Sequence, residues 1–182
     1  AWAGPLRISQ KHGYLLNGVE KADSISISGH KWIFQPKDSS ILLFKNTAEA
    51  NQSISMSAGY LSSSNIGIMG SRGAIGLPLL ATLMAWGKEG LAKRLDGCMT
   101  LSDELHSHLL ETGVHIFAKP TSGVILWRPK EPYSADEIFS RLPAGSASLA
   151  TISGEKWIRH VAANPNMEID RLCSEITTAL GY

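Results

Sequence analysis

The chain has 182 residues, 43% hydrophobic and 18% charged, with a formal net charge of +1. That balance belongs to a folding globular chain of one or two domains and excludes disorder, and the lack of a Lys/Arg cluster makes nucleic acid a poor partner. The longest apolar stretch, residues 75–86, is too short to cross a bilayer, and Cys98 and Cys173 show neither CxxC nor metal-ligand spacing, so reduced thiols in a cytoplasmic protein are expected.

Ala1-Trp2-Ala3-Gly4-Pro5 opens the chain without an initiator methionine, and no secretory leader is expected. It reads as the interior of something longer: a fragment, a processed chain or one half of a split protein. A short helical stretch is expected over residues 9–16, then a turn at Asn17-Gly18. Residues 24–28 alternate serine and isoleucine and predict a strand. A turn follows over residues 29–38, with Gly29 and Pro36. The apolar run at residues 39–45 predicts a strand buried on both faces, near the edge of a mixed sheet.

Residues 46–70 are rich in Ser, Asn, Gly and Ala and read as a long loop, a kind of segment that is often functional. A long helix is expected from Ala74, with Pro78 tolerated near its start, a break near residues 87–90 and a stop at Gly113. Short strands follow at residues 114–117 and 124–127. Residues 134–142 form a helix capped by Ser134, residues 156–162 a strand, and Asn166 caps a final helix to about Leu180. Glu168 and Asp170 lie near the positive end of that helix. This order describes a small α/β domain, and the boundary is set at residues 1–100 and 101–182.

The tripeptide His30-Lys31-Trp32 stands where the alternating strand ends and a turn begins. Lysine is rarely buried unless paired. Desolvation favours the neutral amine of a lysine held at such a place, and a neutral amine forms an imine with an aldehyde, the device used by pyridoxal phosphate enzymes. The motif alone also fits an exposed lysine after a strand. Gly67, Gly70, Gly73 and Gly76 lack the Gly-Lys-Ser/Thr ending and the preceding strand of a nucleotide loop. His106 and His108, two apart on a helix, do not face each other and read as surface residues.

Three segments, in order, carry a resemblance. They are Ala1-Trp2-Ala3-Gly4-Pro5-Leu6 with Lys11-His12 and Leu16-Asn17-Gly18; Ser28-Gly29-His30-Lys31-Trp32; and Gly59-Tyr60-Leu61 with Gly70-Ser71-Arg72. Together they resemble the group II pyridoxal phosphate-dependent decarboxylases. That family includes the aromatic amino acid, glutamate and 2,4-diaminobutyrate decarboxylases. The resemblance implies the C-terminal part of a fold type I large domain followed by a small α/β domain. It implies decarboxylation of an L-amino acid to its amine, with release of carbon dioxide.

Residue by residue, the resemblance implies that Lys31 holds the cofactor as an imine. His30 would lie near the cofactor phosphate. Ser28 stands where relatives often carry Asn or Asp, and its hydroxyl can still donate to a phosphate oxygen. Ala1 matches the small residue against one face of the pyridine ring. Tyr60 matches the loop tyrosine that returns a proton to Cα. The segment between Tyr60 and Gly70 is shorter than in aromatic amino acid decarboxylases. Gly70 and Ser71 match the segment reaching the cofactor phosphate of the opposite subunit, which implies a homodimer. Arg159 matches a frequent arginine, for which a structural ion pair is expected, with His160 beside it.

The family's aspartate that pairs with the pyridinium nitrogen would lie two residues before Ala1, so the chain by itself is expected not to be a competent decarboxylase. Phe34-Gln35-Pro36-Lys37 and the short loop incline the resemblance towards a diaminobutyrate- or glutamate-type substrate. Two alternatives stay open: another fold type I enzyme, such as an aldehyde-lyase or aminotransferase, and a non-catalytic dimerisation or interaction fragment.

Overall fold

The computed structural model describes residues 1–37, 39–56, 65–66, 73–74 and 76–182. The chain divides into two compact units, Ala1–Ala92 and Lys93–Tyr182.

In the first unit, three short 3-10 turns, Gly4–Ile8, Gly13–Leu16 and Val19–Lys21, lead into strand β1 (Ser24–Ser28). The expected helical stretch over residues 9–16 is thus a pair of tighter turns. The Ser9 hydroxyl accepts from the backbone N–H groups of Lys11 and His12, a local bond that competes with helix. β1 pairs antiparallel with β2 (Ser40–Phe44) in the register Ser24↔Phe44 to Ser28↔Ser40. The two strands are neighbours, as expected, and among the described residues their ladder has no third strand. The expected burial of β2 on both faces fails: Leu42 is 57% and Leu43 47% exposed. With β1 as its one described neighbour, β2 has too little around it to cover either face.

Gly29 follows β1 directly. Its N–H donates to the Ser39 carbonyl at 2.7 Å. A Cβ at this position would stand 2.9 Å from Ser39 Cβ and 3.0 Å from its carbonyl oxygen. The close approach of the two backbones therefore requires glycine.

Residues 46–70 were expected to form a loop, but helix α1 (Thr47–Ile54) begins there. Asn46 caps it, accepting from the Glu49 N–H at 3.1 Å. Two-residue strands β3 (Ser55–Met56) and β4 (Asn65–Ile66) pair antiparallel. The long helix α2 (Gly76–Glu111) breaks where the sequence placed the break: Gly87 has φ 61° and ψ −171°.

The second unit is a four-stranded antiparallel sheet with helices on one face. β5 (His115–Ile116), β6 (Val124–Arg128), β7 (Ser148–Ile152) and β8 (Glu155–Val161) stand in the order β5-β6-β8-β7. β7 went unread in the sequence. It joins β8 through Ser153-Gly154, both at positive φ, the conformation of a tight hairpin turn. Helix α3 (Ala135–Arg141) carries the expected Ser134 cap as a full capping box: Glu137 N–H donates to Ser134 Oγ, and the Glu137 carboxylate accepts from Ser134 N–H. Helix α4 (Ile169–Leu180) begins later than expected. Glu168, not Asn166, sits at its cap, and the Asn166 N–H donates to Asn164 Oδ1 in the turn before it.

Leu105, Leu109, Ile125, Trp127, Ile138, Ile158, Leu172 and Ile176 form the core between sheet and helices. The opposite face of the sheet carries Trp157, covered by the Phe117 ring edge and the Arg128 guanidinium, with Arg128 bridged to Glu155 at 2.7 Å. Among the described residues Arg159 makes no ion pair; its Nε donates to Ser148 Oγ on the paired strand. His108 is more than a surface residue. Thr177 donates its hydroxyl proton to the Cys173 carbonyl, so its oxygen accepts from His108 Nε2–H, tying α2 to α4.

His160 is a core histidine, 3% exposed and stacked on Trp127. Its Nδ1 lies 3.1 Å from the Ser146 carbonyl, which can only accept. The proton is therefore on Nδ1; Nε2 and the Ser102 hydroxyl are buried with no hydrogen-bond partner among the described residues, and both residues line a cavity of about 20 Å³. Burial lowers the His160 pKa to about 4. Cys98 and Cys173 are free thiols, and burial pushes the Cys98 thiol up to about 11. No metal-ligand cluster occurs among the described residues, and none of their helices is long and apolar enough to cross a membrane.

Two outcomes follow. Gly29→Ala should lower stability by about 1–3 kcal/mol, read as an earlier urea midpoint by tryptophan fluorescence; an unchanged midpoint would show that the turn can relax. For His160, the unfolded chain takes up a proton near pH 6.5 and the folded chain only near pH 4. Stability should therefore fall by roughly 3 kcal/mol as pH drops through that window, because the proton is bound first by the unfolded state. His160→Gln should flatten the decline in denaturation curves measured at each pH.

Candidate active site

The end of β1 gathers four of the sequence-predicted residues. Ser28 is the last strand residue, and its N–H donates to the Ala1 carbonyl at 3.0 Å, which sets the start of the chain beside the strand end. The backbone then folds through two successive turns. The Lys31 N–H donates to the Ser28 carbonyl at 3.3 Å, and the Phe34 N–H to the Lys31 carbonyl at 2.9 Å. The Gln35 N–H closes the segment on the Gly29 carbonyl at 3.0 Å. Lys31 thus sits at the junction of two turns inside a loop tied at its base.

Apolar anchors hold this loop. Trp32 is fully buried and Ile33 nearly so, and the Trp2 ring lies 5.0 Å from the Trp32 ring. Phe34 adopts φ 56°, a left-handed conformation costly for a residue with a bulky side chain. Its ring meets the edge of Trp86 at 5.9 Å. Lys31 is half-buried and His30 exposed. Lys31 makes no ion pair among the described residues. The result is a primary amine on a braced loop, with small side chains at Ala1 and Ser28 and none at Gly29. Such an amine is placed to condense with a carbonyl.

Tyr60, Gly70 and Ser71 lie outside the described residues. Arg159 and His160 belong to the sheet of the second unit. Sequence reading missed the work of Gln35, which is 7% exposed. Its Nε2 donates to the Ile33 carbonyl and to Thr82 Oγ1, each at 2.9 Å. The available signal was a lone amide side chain set between Ile33-Phe34 and Pro36.

Comparison with known proteins bears on this site. Residues 1–130 match the model of the pyridoxal-dependent decarboxylase conserved domain. An aromatic-L-amino-acid decarboxylase of Bacillus atrophaeus is 25% identical over 152 residues, covering 76% of this chain and 32% of the relative. Serine decarboxylase 3 of Oryza sativa subsp. japonica is 31% identical over 158 residues, covering 82% of this chain and 31% of the relative. The chain therefore spans about a third of the length of these curated relatives. The crystal structure of Oryza sativa TDC with PLP and tryptamine shares the fold at a TM-score of 0.82 and 17% identity, over 99% of this chain and 43% of that one. With the family's conserved domain matched across the Lys31 loop and well into the second unit, the chain belongs to the pyridoxal-dependent decarboxylases, whose cofactor is pyridoxal phosphate.

Proposed function

We propose that this chain supplies the cofactor-binding lysine, and part of the surrounding site, for decarboxylation of an L-amino acid to its amine. The observation that carries the proposal is the Lys31 amine, unpaired among the described residues and presented by a braced loop. The donor set fits an aldehyde cofactor that bears a phosphate. An amine answers the aldehyde, and the Ser28 hydroxyl and His30 ring offer hydrogen bonds to phosphate oxygens. Ala1, tied to Ser28 at 3.0 Å, leaves room for a flat ring.

In this reading Lys31 would hold the cofactor through its amine. Bound pyridoxal phosphate supplies an electron sink for the pair left on Cα as carbon dioxide departs. Tyr60 returns a proton to Cα, a weak acid being suited to that step in a site closed to water. Gly70 and Ser71 contribute backbone N–H groups to a phosphate in a second subunit. A homodimer is further supported by exposed apolar side chains in the first unit, Leu77, Leu80, Leu83 and Met84 on α2. The first unit would then be part of the cofactor domain and the second the small C-terminal domain. Two free thiols support a reducing, cytoplasmic setting. The matched relatives act on different amino acids by name, aromatic ones and serine, so the reading stops at the substrate class.

The test is reductive trapping. The chain is incubated with pyridoxal phosphate, reduced with borohydride and analysed by intact mass and peptide mapping. One adduct, mapped to Lys31 and lost in Lys31→Ala, is the expected result. Labelling spread over several lysines, or undiminished in the variant, would overturn the assignment.

A further inference from the structure

We infer that Gln35, latched to Thr82, is a positioning residue that fixes the backbone of the loop presenting Lys31; the inference rests on the reading of Lys31 as the cofactor lysine. Four hydrogen bonds carry it. The Gln35 N–H closes the loop on Gly29 at 3.0 Å. Its side-chain Nε2 reaches back to the Ile33 carbonyl at 2.9 Å and across to Thr82 Oγ1 at 2.9 Å, 47 residues away in sequence. Thr82 then passes its own proton to the Pro78 carbonyl at 2.9 Å. Each direction is forced. The Ile33 and Pro78 carbonyls can only accept, so the Gln35 nitrogen faces Ile33, and the Thr82 oxygen is free to accept from it.

The chain of donors runs one way, from the Lys31 loop into the first turns of α2. It grips the loop at Ile33 and Gln35, on either side of Phe34, the residue held at φ 56°. A left-handed phenylalanine relaxes unless its neighbours are fixed. Its N–H is the donor to the Lys31 carbonyl, so relaxation at Phe34 would be felt at Lys31. The latch also carries a cost. Gln35 Oε1 is buried with no hydrogen-bond partner among the described residues, and a packed apolar side chain would avoid that penalty. The amide serves geometry at the expense of stability.

Thr82 offers a test that leaves every group near Lys31 in place. Thr82→Val keeps the shape and removes the acceptor; Thr82→Ser keeps the hydroxyl. Amide hydrogen exchange at Phe34 and Gln35 and the initial rate of borohydride-trapped pyridoxal phosphate at Lys31 are measured in the chain and both variants, with circular dichroism confirming the fold. Thr82→Val should speed exchange at both amides about tenfold and slow labelling of Lys31 about tenfold, with Thr82→Ser within twofold of the parent. Gln35→Met should match Thr82→Val. If the valine and serine variants behave alike, or if the amides loosen while labelling of Lys31 keeps its rate, the positioning role is overturned. If the unsubstituted chain takes no label at Lys31 while Thr82→Val still frees the two amides, the latch stands and the cofactor reading falls.

Discussion

The N–H of Gly29 meets the Ser39 carbonyl at 2.7 Å, and the position of Lys31 depends on that bond. It extends the β1–β2 register by one step, Gly29 opposite Ser39, and the ladder stops there because the Gly29 carbonyl accepts from the Gln35 N–H at 3.0 Å. That second bond ties off the base of the two turns that carry Lys31. From there burial takes over: Trp32 and Ile33 go inward, which leaves Lys31 half-buried and His30 in solvent. An amine placed this way is oriented by backbone bonds and by the neighbours it is chained to, with no ion pair of its own among the described residues. That suits the imine-forming role proposed for Lys31.

The second unit is organised by different forces. Its sheet is held by period-two burial on β6, where Ile125 and Trp127 face the helices, and by Ile158 and His160 on β8 beside them. His160 takes the place of an aliphatic side chain by stacking on Trp127 and spending its single proton on Ser146. Neutral, it behaves as a flat apolar residue with one committed donor. Charged, it would be an uncompensated cation in the core.

What the sequence made legible was local. Alternating Ser-Ile placed β1, Ser134 and Glu137 placed the start of α3, and the glycines after Trp86 placed the break in α2. Each of these is decided within a turn or two of chain. The readings that failed depend on partners far along the sequence or on coverage. Leu42 and Leu43 suit a buried strand, but burial is set by what lies over them. β7 has a weak pattern of its own and is a strand because β8 pairs with it. The Ser-, Asn-, Gly- and Ala-rich composition of residues 46–70 suits a loop and hid α1, which Asn46 caps. At the candidate site the motif stood out at His30-Lys31-Trp32, whereas the bond that sets Ala1 beside Ser28 and the reach of Gln35 to Thr82 are tertiary facts.

The exposed ladder of β1 and β2 has a consequence for handling the protein. Ser40–Phe44 reads SILLF, without charge, proline or glycine, and its leucines face solvent. A segment of that kind at a sheet edge is a template for further strands from other molecules. Lys45, immediately after it, is the nearest charge able to interrupt such growth. Concentrated samples would therefore begin to aggregate at β2, and added charge on the solvent faces of this strand would improve solubility while leaving the Lys31 loop alone.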